Sequence, residues 1–148
     1  MKAVLFTLIS VSFLASQHAF AQNTPDEIAK KFFEVYKSEG SNKAVEYIFA
    51  TNKYEDDFRK AIDNLKERLH QTVVASGSFY GYELLSRKTA GQSLILLTFL
   101  VRHDREPLTF RIIFYKPADK WQTQSFDMDD KMGDELEEAS KGGRTKED

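Results

Sequence analysis

Cysteine is absent from the 148 residues, which removes disulfides, thiolate nucleophiles, zinc ribbons and a lipid-anchored N-terminal cysteine together. Stability must then come from ordinary core burial, at roughly 1.5–3 kcal/mol for each fully buried large apolar side chain. Positive charge is not in excess: the formal net charge is -2, so no basic field exists to attract phosphate backbones, and nucleic acid is set aside as a partner. A Gly-rich phosphate loop, a Gly-x-Ser-x-Gly elbow and a His-Glu-x-x-His motif are all missing. Outside the first twenty residues there is one long apolar run, Ser93 to Val101.

Aromatic residues are plentiful, with 12 Phe and 6 Tyr, and they predict an aromatic-rich core. The length suits one domain better than two. Met1 to Ala21 reads as a signal peptide: Lys2 is the positive start, Ala3 to Ala15 the apolar stretch, and Ala19-Phe20-Ala21 a small-x-small site before Gln22. The apolar stretch is broken by Thr7, Ser10 and Ser12 and falls short of the ~20 residues of a spanning helix. A secreted or periplasmic location with no membrane span after cleavage is the expectation.

Thr24-Pro25-Asp26-Glu27 is a helix start, with Thr24 as cap, Pro25 at the first helical position and Glu27 completing a capping box. The helix is expected to reach Ser38 and to bury Ile28, Ala29, Phe32, Phe33 and Tyr36, with Gly40 turning the chain out of it. Ser41 is read as the cap of a short second helix burying Ala44, Val45, Ile48 and Phe49. The third helix has the clearest period: Tyr54, Phe58, Ala61, Ile62, Leu65, Leu69 and Val73 fall three or four apart, predicting a helix over Tyr54 to Ala75. Its charged face, including Asp56 and Lys60 at i,i+4 spacing, is read as solvated.

From Gly77 the period becomes strand-like. Four runs, Ser78 to Lys88, Ser93 to His103, Leu108 to Lys116 and Trp121 to Met128, are separated by short breaks rich in turn formers. Connections this short predict an antiparallel meander in sequence order. The fold class is therefore α+β, with three N-terminal helices packed on a curved four-stranded sheet over residues 22–128. Asp129 to Asp148 is acidic and carries Gly142-Gly143. A helical turn near Asp134 to Ala139 competes there with disorder, and an acidic disordered tail is expected.

Both faces of the second strand are largely apolar, and helices preceding the sheet can cover only one. The face of Leu94, Leu96, Leu100, Ile113 and Tyr115 is therefore assigned to a homodimer interface, with sheet curvature or the C-terminal tail as the other covers.

Three helices, the third longest, followed by this meander with a late Trp, resemble the NTF2-like family, also described as cystatin-like, and its small secreted bacterial members in particular. The residues that carry the resemblance are the third helix, Gly77-Ser78-Phe79-Tyr80-Gly81-Tyr82-Glu83, and Phe114-Tyr115-Lys116-Pro117 with Lys120-Trp121. The resemblance implies a cone with a cavity between helices and concave sheet, often dimeric through the outer sheet face. In enzymatic relatives an Asp, Glu or His with a Tyr partner works inside that cavity; no such motif matches here residue by residue. The cavity residues proposed from the sequence are Tyr36, Tyr82, Trp121 and Asp127, the last because strand parity sends Thr123, Ser125 and Asp127 the same way as Trp121. Glu83 and Tyr82 point oppositely, and Arg111 opposes its strand's core face. His70 and His103 are both read as solvated, and no cofactor or metal is assigned. The resulting expectation is a non-catalytic, dimerising domain that binds a small apolar molecule or a protein, with an isomerase or dehydratase-like enzyme as the alternative. A partner or inhibitor of an envelope protein is a third class.

Overall fold

A computed structural model of the chain describes residues 24–143; the signal-peptide reading of Met1 to Ala21 lies outside the described residues. Thr24 caps the first helix, α1 (Pro25–Glu39), through a complete capping box: its Oγ1 accepts from the Glu27 amide at 3.3 Å and its own amide donates to Glu27 Oε2 at 2.7 Å. The Thr24 amide and the Thr24 hydroxyl, both donating to Glu27 Oε2, hold the Glu27 carboxyl below its ordinary range. Helix α2 (Ser41–Phe49) follows directly. Gly40, at φ 93°, occupies its cap position without a side-chain hydrogen bond, so Ser41 is the first helical residue and not the cap.

The segment read as one long third helix divides. A 3-10 turn covers Glu55–Phe58, and α3 (Arg59–Ser76) begins after it. Asp56 pairs with Arg59 at 2.7 Å and not with Lys60, because the tighter turn brings i+3 against it. Ile62, Leu65 and Leu69 are buried, whereas Tyr54, Phe58 and Ala61, from the same apolar stripe, are exposed. Helices α2 and α3 are also tied by Glu46, which accepts from Lys66 at 2.7 Å and Lys43 at 2.9 Å; the two ammonium groups hold its carboxyl at about 2.

The strands β1 (Phe79–Ala90), β2 (Leu94–His103), β3 (Leu108–Tyr115) and β4 (Gln122–Asp129) form one antiparallel meander in sequence order. Strands β2 and β3 pair without interruption from Leu94 opposite Tyr115 to Val101 opposite Leu108. Their inward residues Ile95, Leu97, Phe99, Val101, Leu108, Phe110, Ile112 and Phe114 meet Ile28, Phe32, Phe33, Val45, Ile48 and Leu69 in one core. The extra residues sit on the other two strands: Tyr80 and Leu85 on β1, and Gln124 on β4.

The acidic segment expected to be disordered contains a fourth helix, α4 (Gly133–Gly143). Met132, Leu136 and Ala139 fall four and three residues apart and line a common groove against the sheet. Lys141 pairs with Glu137 at 2.6 Å, and Lys88 of β1 with Glu138 at 2.8 Å. Among the described residues no helix is long and apolar enough to cross a membrane.

Candidate functional site

Aromatic rings fill the space between α1 and the sheet, in the middle of where a cone cavity was expected; a cleft remains between α3 and β4. Phe33 stands at the centre. Its ring stacks on Tyr82 at 3.8 Å and 10°, lies edge-on to Phe99 at 5.1 Å and meets Phe32 at 5.0 Å. Phe110 and Phe126 close the far side, 5.1 Å apart. Tyr36 and Tyr82 therefore do face inward, but as packing elements.

The other two proposed cavity residues lie elsewhere. Trp121 is half-buried in the hairpin before β4, with Lys116 Nζ 5.2 Å from its ring. Asp127 is on the outer face, largely exposed, 3.8 Å from Arg111. The parity argument for Asp127 fails at one residue: Thr123 lies opposite Phe114 and Ser125 opposite Ile113, which leaves Gln124 unpaired. That bulge reverses the alternation. Thr123 and Phe126 are buried, and Ser125 and Asp127 face out. Thr123 is in turn fixed by Thr51 Oγ1, which accepts from its amide at 2.9 Å, and by Asn52 Nδ2, which donates to its carbonyl at 3.0 Å. Glu83 also faces out, beside Arg102 at 3.3 Å, as its opposition to Tyr82 requires.

His103, read from the sequence as solvated, is buried at 8% exposure, with Nε2 3.0 Å from the Tyr36 hydroxyl. The signal was available: His103 continues the inward alternation of Ile95, Leu97, Phe99 and Val101. Its neighbours Asp104 and Arg105 belong to the turn, but its side chain belongs to the strand. Phe79 and Tyr36 flank the imidazole, and Nδ1 has no hydrogen-bond partner of good geometry among the described residues. Burial pushes the imidazole below its ordinary value, opposed in part by the Val101 backbone, and burial pushes the Tyr36 phenol up. His70 is exposed on α3.

The outer sheet face is the larger apolar surface. Helix α4 crosses one part of it, and Met132 Sδ lies 3.2 Å from the Thr109 hydroxyl. Between helix and sheet is a groove of about 570 Å3 lined by Leu85, Leu100, Pro107, Met132, Leu136 and Ala139. Of the five residues assigned to an interface, Leu100 thus lines the groove beside α4. The other four form two cross-strand pairs, Leu94 with Tyr115 and Leu96 with Ile113. Leu94 and Tyr115 are each 38% exposed, and Leu96 and Ile113 are half-buried. Part of the cover sought for this face therefore comes from the chain's own C-terminal segment.

No family model, no curated protein and no solved structure matches the chain.

Proposed function

We propose that the chain is an exported, non-catalytic binding module of NTF2-like type that pairs with a second copy through its outer sheet face. The observation that carries this reading is the row Leu94, Leu96, Ile113 and Tyr115, regular strand surface left open beside α4. An apolar row on two unbulged strands suits a twofold contact in which each copy covers the other. The NTF2-like assignment draws its support from the order of three helices before a four-stranded meander. Export draws its support from the sequence of Met1 to Ala21.

The enzyme alternative asks for an acid or base in an open cone. It has less support, since Asp127 and Glu83 stand on the outer face and the interior pair Tyr36 and His103 is enclosed by rings.

Sedimentation equilibrium of the chain from Gln22, which spans every described element, tests the pairing. Twice the chain mass is expected at tens of micromolar, and a Leu94→Lys/Tyr115→Lys variant should sediment as a monomer with an unchanged circular dichroism spectrum. A single-chain mass at hundreds of micromolar removes the dimer. Mass spectrometry of protein recovered from its native compartment tests export by whether the chain begins at Gln22.

A further inference from the structure

The apolar stripe of α3 is wider than its cover. Ile62 and Leu65 reach the core, but Phe58 is 47% exposed and Ala61 is open. Between this half of the stripe and β4 lies a second pocket, of about 380 Å3, whose apolar walls are Phe49, Phe58, Ala61, Ile62, Leu65 and Phe126. It is separate from the groove under α4 and on the opposite side of the sheet, because Phe126 faces the helices.

The pocket has one charged lining residue, Arg68, two helical turns beyond Ala61. Of the polar lining side chains, Asn52 is held by the Thr123 carbonyl and the Tyr54 amide, whereas those of Arg68, Asn64 and Gln124 have no hydrogen bond or ion pair with another described residue. A guanidinium is charged at every physiological pH and presents a planar set of donors that matches an oxyanion in two-point contact. Apolar walls with a single free cation, and no acid among the lining residues, complement a ligand that is apolar along its length and carries one negative charge at one end. The volume is in the range of small-molecule sites, roughly 300–1,000 Å3. At ~30 Å3 per water it exchanges about a dozen waters for a ligand of similar atom count.

We propose that the cleft between α3 and β4 is a binding site for a small monocarboxylate with an apolar chain, its tail on Phe58, Ala61, Leu65 and Phe126 and its carboxylate on Arg68. The outer face takes no part in it.

Decanoate, below its micellar concentration, is the probe, and NMR shifts of the labelled chain from Gln22 are the readout. Saturable shifts centred on Ala61, Ile62, Leu65 and Phe126 are expected. Arg68→Gln, an exposed position, should weaken decanoate about tenfold, the scale of one charge-assisted contact. The neutral decanol should bind the parent about tenfold more weakly than decanoate does, and Arg68→Gln should not affect it further. Ala61→Trp, which fills the mouth, should abolish binding of both. The Leu94→Lys/Tyr115→Lys variant should bind decanoate as the parent does, so loss of the dimer and loss of this site are read separately. The assignment is overturned by the absence of saturable shifts at these residues, or by shifts centred on Leu85, Leu100 and Leu136. It is equally overturned by an unchanged decanoate affinity in Arg68→Gln, or by loss of binding in the outer-face variant.

Discussion

Tyr36 of α1 and His103 at the end of β2 form a buried polar contact within the aromatic core, and its removal gives the sharpest check on the interior. The Tyr36 hydroxyl is 4% exposed with its residue and has His103 as its partner at 3.0 Å. Tyr36→Phe takes away that hydroxyl and leaves both imidazole nitrogens without good partners. The expected cost is about 1–3 kcal/mol, the penalty for a buried polar group left unmatched. His103→Leu strands the hydroxyl instead and should cost a similar amount. The double variant replaces the pair by apolar groups and should be more stable than the sum of the single losses predicts, by about 1–2 kcal/mol of coupling.

A pH series adds a second arm to the same cycle. Burial holds the folded-state His103 below its ordinary 6.5, so the unfolded chain takes up the proton first. The stability this provides is whole above about pH 6.5 and declines as pH falls from there toward the folded-state value. The slope cannot exceed about 1.4 kcal/mol per pH unit for one proton. Urea unfolding of the parent and the double variant at pH 8 and pH 5 reads the effect as a difference. If the double variant loses as much stability as the parent over that interval, or the single costs simply add, the buried-pair account is refuted.

Two further predictions concern the scaffold. Gly77 ends α3 at φ 87°, and a Cβ there would stand 3.0 Å from the Asp104 Cβ; Gly77→Ala should therefore destabilise by more than ~1 kcal/mol, read as a lowered urea midpoint at constant m. Lys88→Met removes the ion pair to Glu138, both partners being more than half exposed; thermal stability should change by less than ~1 kcal/mol, while amide exchange across Gly133–Gly143 accelerates. Unchanged exchange would mean that apolar contact of Met132, Leu136 and Ala139 holds the helix without it.

The sequence and the structure agree most where one residue pattern decides one local outcome. The Thr24 capping box, the α1 stripe and the meander order depend on neighbours in the chain, and each is visible there. The inward row from Ile95 to Val101 was equally legible, and extending it by two residues would have found His103. Asp127 was beyond reach of the same rule, because strand alternation carries no mark of where an extra residue enters, and Gln124 resembles any polar strand residue. Helix α4 was obscured for a different reason. Leu136 and Ala139, with Met132 just before the helix, are diluted by acidic neighbours, and their spacing matters only because a sheet face lies opposite. The bare half of the α3 stripe shows the converse: period announces a helix, but the extent of its cover is a property of the packed molecule.

The three extra residues in the sheet, Tyr80, Leu85 and Gln124, all fall on β1 and β4, which are its two edges, while β2 and β3 run without irregularity. A bulged edge offers an incoming strand an interrupted row of amides and carbonyls, and Arg87 and Lys88 on one edge and Asp127 and Asp129 on the other add charge to it. Bulges and charge at both edges work against lateral growth into a continuous sheet, the route by which exposed β-structure polymerises. The pairing we propose uses a sheet face instead, where a twofold contact closes after one partner.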